Sequence, residues 1–334
     1  MGRGVVRIDP ETAIYGTAGN PLDYPSALRR AAYYVDGVNA VRLGWDWTEP
    51  AAIRLTADGS ELTDLGPRAR LAVTTLPARI PQIAFGANRN LANLMWKFRH
   101  YGEQEGATPE PFFVLPATVP RAEVVMCNVG YSGYLYAALL TDRSGDPVAS
   151  RLVADREAPV AVLLLTADQM RMIHRSEGVP ESSVTGRSLV SCDVALLETR
   201  CLGASLTCQV YALPAPYLSF DGATPVRFPT APTDGTAHRV RAQRVAWQRI
   251  LAHPQIARRL GGTVRTGDDL VTALRSDGGL AAPDLLSHVK RVIADELCLR
   301  SASGRPLDPR AGLDLLVPER AWRAAPTLAD SLAG

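Results

Sequence analysis

The sequence predicts an α+β protein built on a mixed β-barrel with inserted helices, and three observations carry that prediction. Short apolar runs with strand character recur through the middle of the chain, and two amphipathic helical stretches are inserted between them. Neither a regular βαβ alternation nor an internal repeat appears, which favours a closed or half-closed barrel over a doubly wound sheet. A hydrophobic share of 46% with 21% charged residues is that of an ordinary globular chain and sets aside wholesale disorder.

With 334 residues the chain exceeds one minimal domain. The barrel is expected over residues 80–220, with 1–79 as an N-terminal extension, 221–237 as a linker and 238–334 as a C-terminal helical region. In the extension, Leu28, Ala31, Ala32 and Val35 recur at helical spacing and predict a helix around Tyr24 to Val35. From Pro81 a strand over Ile83–Phe85 meets a Gly-Ala-Asn turn and an amphipathic helix over Leu91–Tyr101. Strands are expected at Val124–Cys127 and Tyr134–Leu140, then a buried strand at Val160–Leu165. Thr166-Ala-Asp-Gln169 is a capping-box pattern opening a helix to about Ser176, which Gly178 ends. Leu189–Leu197 and Ala204–Leu213 complete the strands, and Pro214 and Pro216 close the domain. Asp221–Ala237, rich in Pro, Thr and Gly, reads as linker. Helical spacing returns over His238–Leu260, broken or kinked at Pro254, over Asp268–Arg275 and over Ala282–Arg300.

Several classes of chemistry are disfavoured. A run of about 18 apolar residues, long enough to span a membrane, is missing, and MGRGVVRIDPE has no secretory pattern, so the expected location is cytoplasmic. The five cysteines (Cys127, Cys192, Cys201, Cys208, Cys298) form no C-x-x-C and predict neither a disulfide framework nor a zinc knuckle. There is no H-E-x-x-H, no P-loop, and Gly130-Tyr-Ser-Gly133 has the wrong spacing for a nucleophile elbow. Gly16-Thr-Ala-Gly19 has no preceding strand and is taken as a turn rather than a phosphate cradle. No metal and no cofactor is expected. A net charge of +2 exerts no global pull on nucleic acid or membrane.

Two places remain as candidate site. At Phe85-Gly86-Ala87-Asn88 a strand turns sharply into a helix whose first N–H groups can receive a carboxylate or amide oxygen, with Gly86 permitting close approach. The ordinary alternative is a plain turn with Asn88 or Asn90 as N-cap. At the other place Glu177 follows a helix packed on a buried strand. A carboxylate there meets the negative end of the helix dipole, and burial works against its charge, which suits it to act as a base near neutral pH. The alternative is an exposed terminal Glu before a C-cap glycine.

Ile83–Leu91 resembles the strand, Tyr-Gly-Ser-Asn turn and helix of the γ-glutamylcyclotransferase-like family, and Leu163–Gly178 is similar to that family's stretch ending in Glu-Gly. Between them, Gly133–Leu140 followed by Ser144-Gly-Asp146, and after them Val210-Tyr211, match two further segments in the family's order. The likeness covers roughly the middle two-fifths of the chain. It implies a cofactor-free intramolecular acyl transfer that releases 5-oxoproline and an amine from a small γ-glutamyl amide or related acyl metabolite. By the same likeness Glu177 is the catalytic base, and Phe85, Gly86, Ala87 and Asn88 bind the substrate, chiefly through backbone N–H groups. Phe85 stands where the family has Tyr and Ala87 where it has Ser. His174, in a region where the family often carries Asp, is read as a helix-face residue.

The competing class is a non-catalytic binding or adaptor protein that uses the same pocket or the C-terminal basic helix. His238–Leu260 carries six arginines and no acid, with Trp247 and Ile250 on its apolar side. Such a helix can contact phosphates or an acidic partner. The plainer reading is a docking helix with a solvated arginine face.

Overall fold

The computed structural model describes the chain except residues 1–4, 15–18, 25–30, 47–53, 106–109, 131–132, 178–192, 203, 213–214, 230–235, 276–281, 310–314, 317–325 and 334. The middle of the chain supplies the strands that position the site: β6 (Ile80–Ala84), β7 (Phe112–Pro120), β10 (Glu157–Leu165), β11 (Asp193–Cys201) and β12 (Ala204–Ala212). N-terminal to them lie β1 (Val5–Arg7), β2 (Ala32–Asp36), β3 (Asn39–Asp46), β4 (Arg54–Ala57) and β5 (Ser60–Glu61), and near the C-terminus β13 (Leu315–Leu316). All of these form one eleven-stranded mixed sheet among the described residues, in the order β13-β11-β12-β6-β10-β7-β2-β3-β4-β5, with β1 beside β3. A separate hairpin pairs β8 (Ala122–Val129) with β9 (Leu135–Thr141).

The expectation of a closed or half-closed β-barrel over residues 80–220 is corrected by this sheet, which is mixed, extends beyond those residues and is not a closed barrel. β7 pairs with β11 through Arg200–Thr118 and Cys201–Ala117, and β12 meets β6 at the single parallel bridge Gln209–Gln82, so five central strands are linked in a cycle. The cycle does not stand alone. β2 pairs with β7 at Tyr33–Val114, Tyr34–Phe113 and Val35–Phe112, which carries the sheet on into the N-terminal strands. The boundary expected at 79/80 therefore runs through a single sheet.

Alternation along β10 shows how the sheet is covered. Val160, Val162 and Leu164 face a core shared with the β8–β9 hairpin and the C-terminal helices, while Ala161, Leu163 and Leu165 face α2 (Leu91–Glu105) and α4 (Ala167–Ser176). Because both faces are buried, this strand reads as a continuous apolar run. Leu91, Leu94, Met95 and Phe98 of α2 and Met170 and Ile173 of α4 fill the second core. α4 starts on the expected capping box, with Thr166 Oγ1 accepting from Gln169 N–H at 3.3 Å and Gln169 Oε1 accepting from Thr166 N–H at 3.0 Å.

Two elements differ from the sequence reading. The helix expected to Val35 is instead strand β2 from Ala32, whose first four residues are buried because β7 and β3 flank it. A short apolar run buried all round has no periodicity to separate helix from strand. β7 has no counterpart among the strands expected from the sequence, and Pro116 and Pro120 interrupt its apolar run. Pro116 is tolerated because it falls where β7 changes one neighbour from β2, paired to Phe112–Val114, to β11, paired to Ala117–Thr118.

Helices α5 (Thr236–Leu251) and α6 (Pro254–Leu260) split at Pro254 as expected, and α7 (Gly267–Arg275) and α8 (Ala282–Asp295) follow. Trp247 is fully buried and donates from Nε1 to Gly133 O at 2.8 Å, so α5 belongs to the main core. The first part of the expected linker is bonded to β8: Met126 N–H donates to Val226 O at 2.7 Å and Phe228 N–H to Val124 O at 3.4 Å. The short helices α1 (Pro67–Thr74) and α3 (Pro147–Val153) pack against the 3-10 turn Leu62–Leu65 and against β9 respectively. No described helix is long and apolar enough to cross a membrane.

Candidate functional site

β6 delivers the first half of the site. After Ala84 the chain leaves the sheet through Phe85 and Gly86 into a one-turn 3-10 helix at Ala87–Arg89 and then into α2. Within that turn Arg89 N–H donates to Gly86 O at 3.3 Å and Asn90 N–H to Ala87 O at 3.1 Å. Gly86 provides no side-chain cap, so the N–H groups of Ala87 and Asn88 have no acceptor among the described residues. Asn93, fully buried, holds the turn from beneath: its Nδ2 donates to Ala87 O at 2.9 Å and its Oδ1 accepts Ile14 N–H at 2.8 Å.

Gly86 is needed for space rather than for a special dihedral, since its φ is −101°. A Cβ at this position would stand 2.4 Å from the Tyr24 hydroxyl. That hydroxyl is fixed, because it accepts Ala137 N–H at 3.0 Å and its ring stacks on Tyr134 with centroids 4.5 Å apart.

α4 delivers the second half. It ends at Ser176, and Glu177 is its C-cap, with N–H bonds to Ile173 O at 3.0 Å and His174 O at 3.1 Å. The Glu177 carboxylate turns back over the β6 turn. Its Oε1 accepts from Asn88 Nδ2 at 2.9 Å and from Lys97 Nζ at 2.5 Å, and Lys97 Nζ also donates to Asn88 Oδ1 at 2.7 Å. Lys97 comes from the second turn of α2 and is 2% exposed, whereas the Glu177 side chain is 24% exposed. A buried ammonium of this kind needs a compensating charge, and Glu177 supplies it. Both bonds fall on Oε1, and Oε2 has no hydrogen-bond partner among the described residues.

Phe85, Gly86, Ala87, Asn88 and Glu177, the residues singled out in the sequence, all line one small cavity of about 50 Å³. Tyr24, Tyr134, Tyr136 and Tyr211 line it as well. The cavity accommodates a compact polar fragment rather than a large ligand.

His174 is not the helix-face residue expected from the sequence. It is 1% exposed and its Nδ1 lies 2.7 Å from the Tyr211 hydroxyl. Burial pushes its imidazole down to about 4, with the nearby Glu177 charge offsetting part of that shift. It is therefore neutral at pH 7 and braces Tyr211 behind the cavity.

Lys97 is the main residue that sequence reasoning passes over. Asn93 and Lys97, at i and i+4, form a polar stripe beside the apolar stripe Leu91, Leu94 and Phe98 on a helix that opens directly after the turn, which is the signal available in the sequence. Gly178, expected to end α4, lies outside the described residues, as do Gly16–Ala18 and Cys192. Cys127, Cys201, Cys208 and Cys298 are buried free thiols. Among the described residues no group of His, Cys, Asp and Glu side chains is arranged to hold a metal ion. No protein-family model, curated protein or solved structure matches the chain.

Proposed function

We propose that the chain is a γ-glutamylcyclotransferase-like enzyme, cofactor-free, that releases 5-oxoproline and an amine from a γ-glutamyl amide or related acyl metabolite. The observation that carries this reading is the 2.9 Å hydrogen bond between Asn88 and Glu177, which joins the two segments singled out in the sequence across a separation of 89 residues. The pairing of β6 with β10 and β12 in the middle of the sheet supports the finer fold reading, a family-type α+β fold carried within a larger mixed sheet. Buried free thiols suit a reducing compartment such as the cytoplasm.

In the proposed reaction the α-amine nitrogen of the glutamyl group attacks its own γ-carbonyl carbon. Glu177, through Oε2, takes a proton from that amine as the new C–N bond forms. Negative charge develops on the carbonyl oxygen, and the Ala87 and Asn88 N–H groups are the donors available to receive it. The intermediate collapses by breaking the original amide C–N bond, and Glu177 returns its proton to the departing nitrogen. No water is consumed, and nucleophile and electrophile are already joined, so positioning supplies much of the acceleration. Lys97 and Asn88 fix the Glu177 carboxylate by holding Oε1. The family's two hydroxyls, lost at Phe85 and Ala87, are not required for these steps because the donors are backbone groups.

A second reading, a non-catalytic pocket, is favoured by one observation: the Lys97 ammonium already occupies Glu177 at 2.5 Å. The two readings separate on turnover. Release of 5-oxoproline from any member of a panel of γ-glutamyl amines and dipeptides, lost in Glu177→Gln, supports the enzyme; turnover that survives this substitution overturns the role of Glu177.

A further inference from the structure

Apart from this site, a cleft of about 540 Å³ lies between the segment 220–227 and one face of α5. Its lining is basic and apolar. Arg227 comes from the segment, while Arg241, Val245 and Arg249 recur at i, i+4 and i+8 on α5 and so share one helix face over a rise of about 12 Å. Val245, between the two arginines, is 50% exposed.

Arg227 Nε donates to the Glu123 carboxylate at 2.7 Å. Asp221 Oδ1 accepts from the Ser219 hydroxyl at 2.9 Å and from the N–H groups of Ala223 and Thr224 at 2.9 and 2.7 Å, which ties that oxygen to the local turn. The Arg249 guanidinium carbon lies over the Phe220 ring, 3.9 Å from its centroid, a cation–π contact. Arg244, on another face of α5, is held bidentately by Asp268 at 2.8 Å. Arg241 and Arg249 have no acidic partner among the described residues. The arginine excess of the helix is thus neutralised at Arg244 and left open toward the cleft.

We propose that this cleft binds a small molecule carrying at least two anionic oxyacid groups, phosphate or carboxylate, on an apolar body. Its volume falls within the range of small-ligand sites. Guanidinium forks match oxyacid groups bidentately, and Arg249, already in contact with the Phe220 ring, has less freedom to lose when it binds. Phe220, Val226 and Val245 receive the apolar body.

The test is titration calorimetry of the full chain in low-salt buffer with three probes: ADP, benzene-1,3-dicarboxylate and inorganic pyrophosphate. The expected result is saturable binding of ADP or the dicarboxylate with Kd below about 1 mM, the better of the two identifying phosphate or carboxylate as the preferred group. Pyrophosphate, lacking an apolar body, binds more weakly than the better organic probe. Arg241→Gln with Arg249→Gln, both at exposed positions, weakens binding about tenfold or more, and Arg241→Gln alone weakens it in the same direction. Glu177→Gln leaves the affinity unchanged, which separates the cleft from the candidate active site. Absence of saturable binding by both organic probes overturns the proposal, as does equal affinity in the native chain and the double variant, loss of binding in Glu177→Gln, or pyrophosphate binding as tightly as the better organic probe.

Discussion

Replacing Lys97 by Met and Glu177 by Ala, singly and together, measures how strongly the buried ion pair organises the site. Glu177→Ala leaves an ammonium that is 2% exposed with Asn88 Oδ1 but without its counter-charge, so a loss of about 3–5 kcal/mol is expected. Lys97→Met is milder, because the Glu177 side chain is 24% exposed and water can take over from the ammonium; the loss expected is about 1–2 kcal/mol. In the double variant both charges are gone and a thioether fills the stem's space, so the loss returns to about 1–2 kcal/mol. The singles sum to about 4–7 kcal/mol, which makes the coupling about 2–6 kcal/mol. Urea unfolding of the four proteins, read at a common m-value, checks this. Additivity within about 0.5 kcal/mol would refute the claim that the two charges compensate each other.

Three other outcomes follow from the same geometry. His174 has its folded value at about 4 against an ordinary value of about 6.5, so the unfolded chain binds the extra proton first. Stability is fully present above about pH 6.5 and falls as pH drops through 4, by up to about 3 kcal/mol; His174→Gln flattens this dependence in unfolding curves measured from pH 7 to 4, and an unchanged slope contradicts it. Gly86→Ala, whose Cβ would meet the Tyr24 hydroxyl at 2.4 Å, costs about 1–3 kcal/mol, and a Tyr24→Phe background recovers at least half of that; equal losses in both backgrounds locate the strain elsewhere. Asn93→Leu orphans Ile14 N–H and Ala87 O and lowers stability by about 2–4 kcal/mol in thermal unfolding, while a loss under about 0.5 kcal/mol would show that water replaces the amide.

The legible parts of the fold were those whose signals are local. The capping box at Thr166, the stop at Ser176 and the break at Pro254 are each written in a few adjacent residues, and each stands where the sequence puts it. β2 and β7 were hidden because their identity depends on neighbours distant in sequence: β2 is a strand since β3 and β7 flank it, and Pro116 survives in β7 since its partners change there. The same distinction divides the site. Phe85–Asn88 and Glu177 can be picked out by their turn and helix-end positions, but their meeting cannot be deduced from spacing. Lys97 escapes because a lysine on an amphipathic helix ordinarily faces water, and its burial becomes visible only when Glu177 arrives from α4. The N-terminal contribution is likewise tertiary: Tyr24 reaches Gly86 and Ala137, and Ile14 reaches Asn93, through contacts that an extension would not need to make.

The central claim is that Glu177, held at Oε1 by Lys97 and Asn88, acts as the base of a cyclising acyl transfer. Its most direct test is the amount of 5-oxoproline released from γ-glutamyl amines and dipeptides by the native chain and by Glu177→Gln, a substitution that keeps an acceptor for Lys97 and removes the base. The account predicts turnover of at least one substrate by the native chain and a loss of about a hundredfold or more in the variant. Turnover of equal rate in the two proteins, or none by the native chain across the panel, would contradict it.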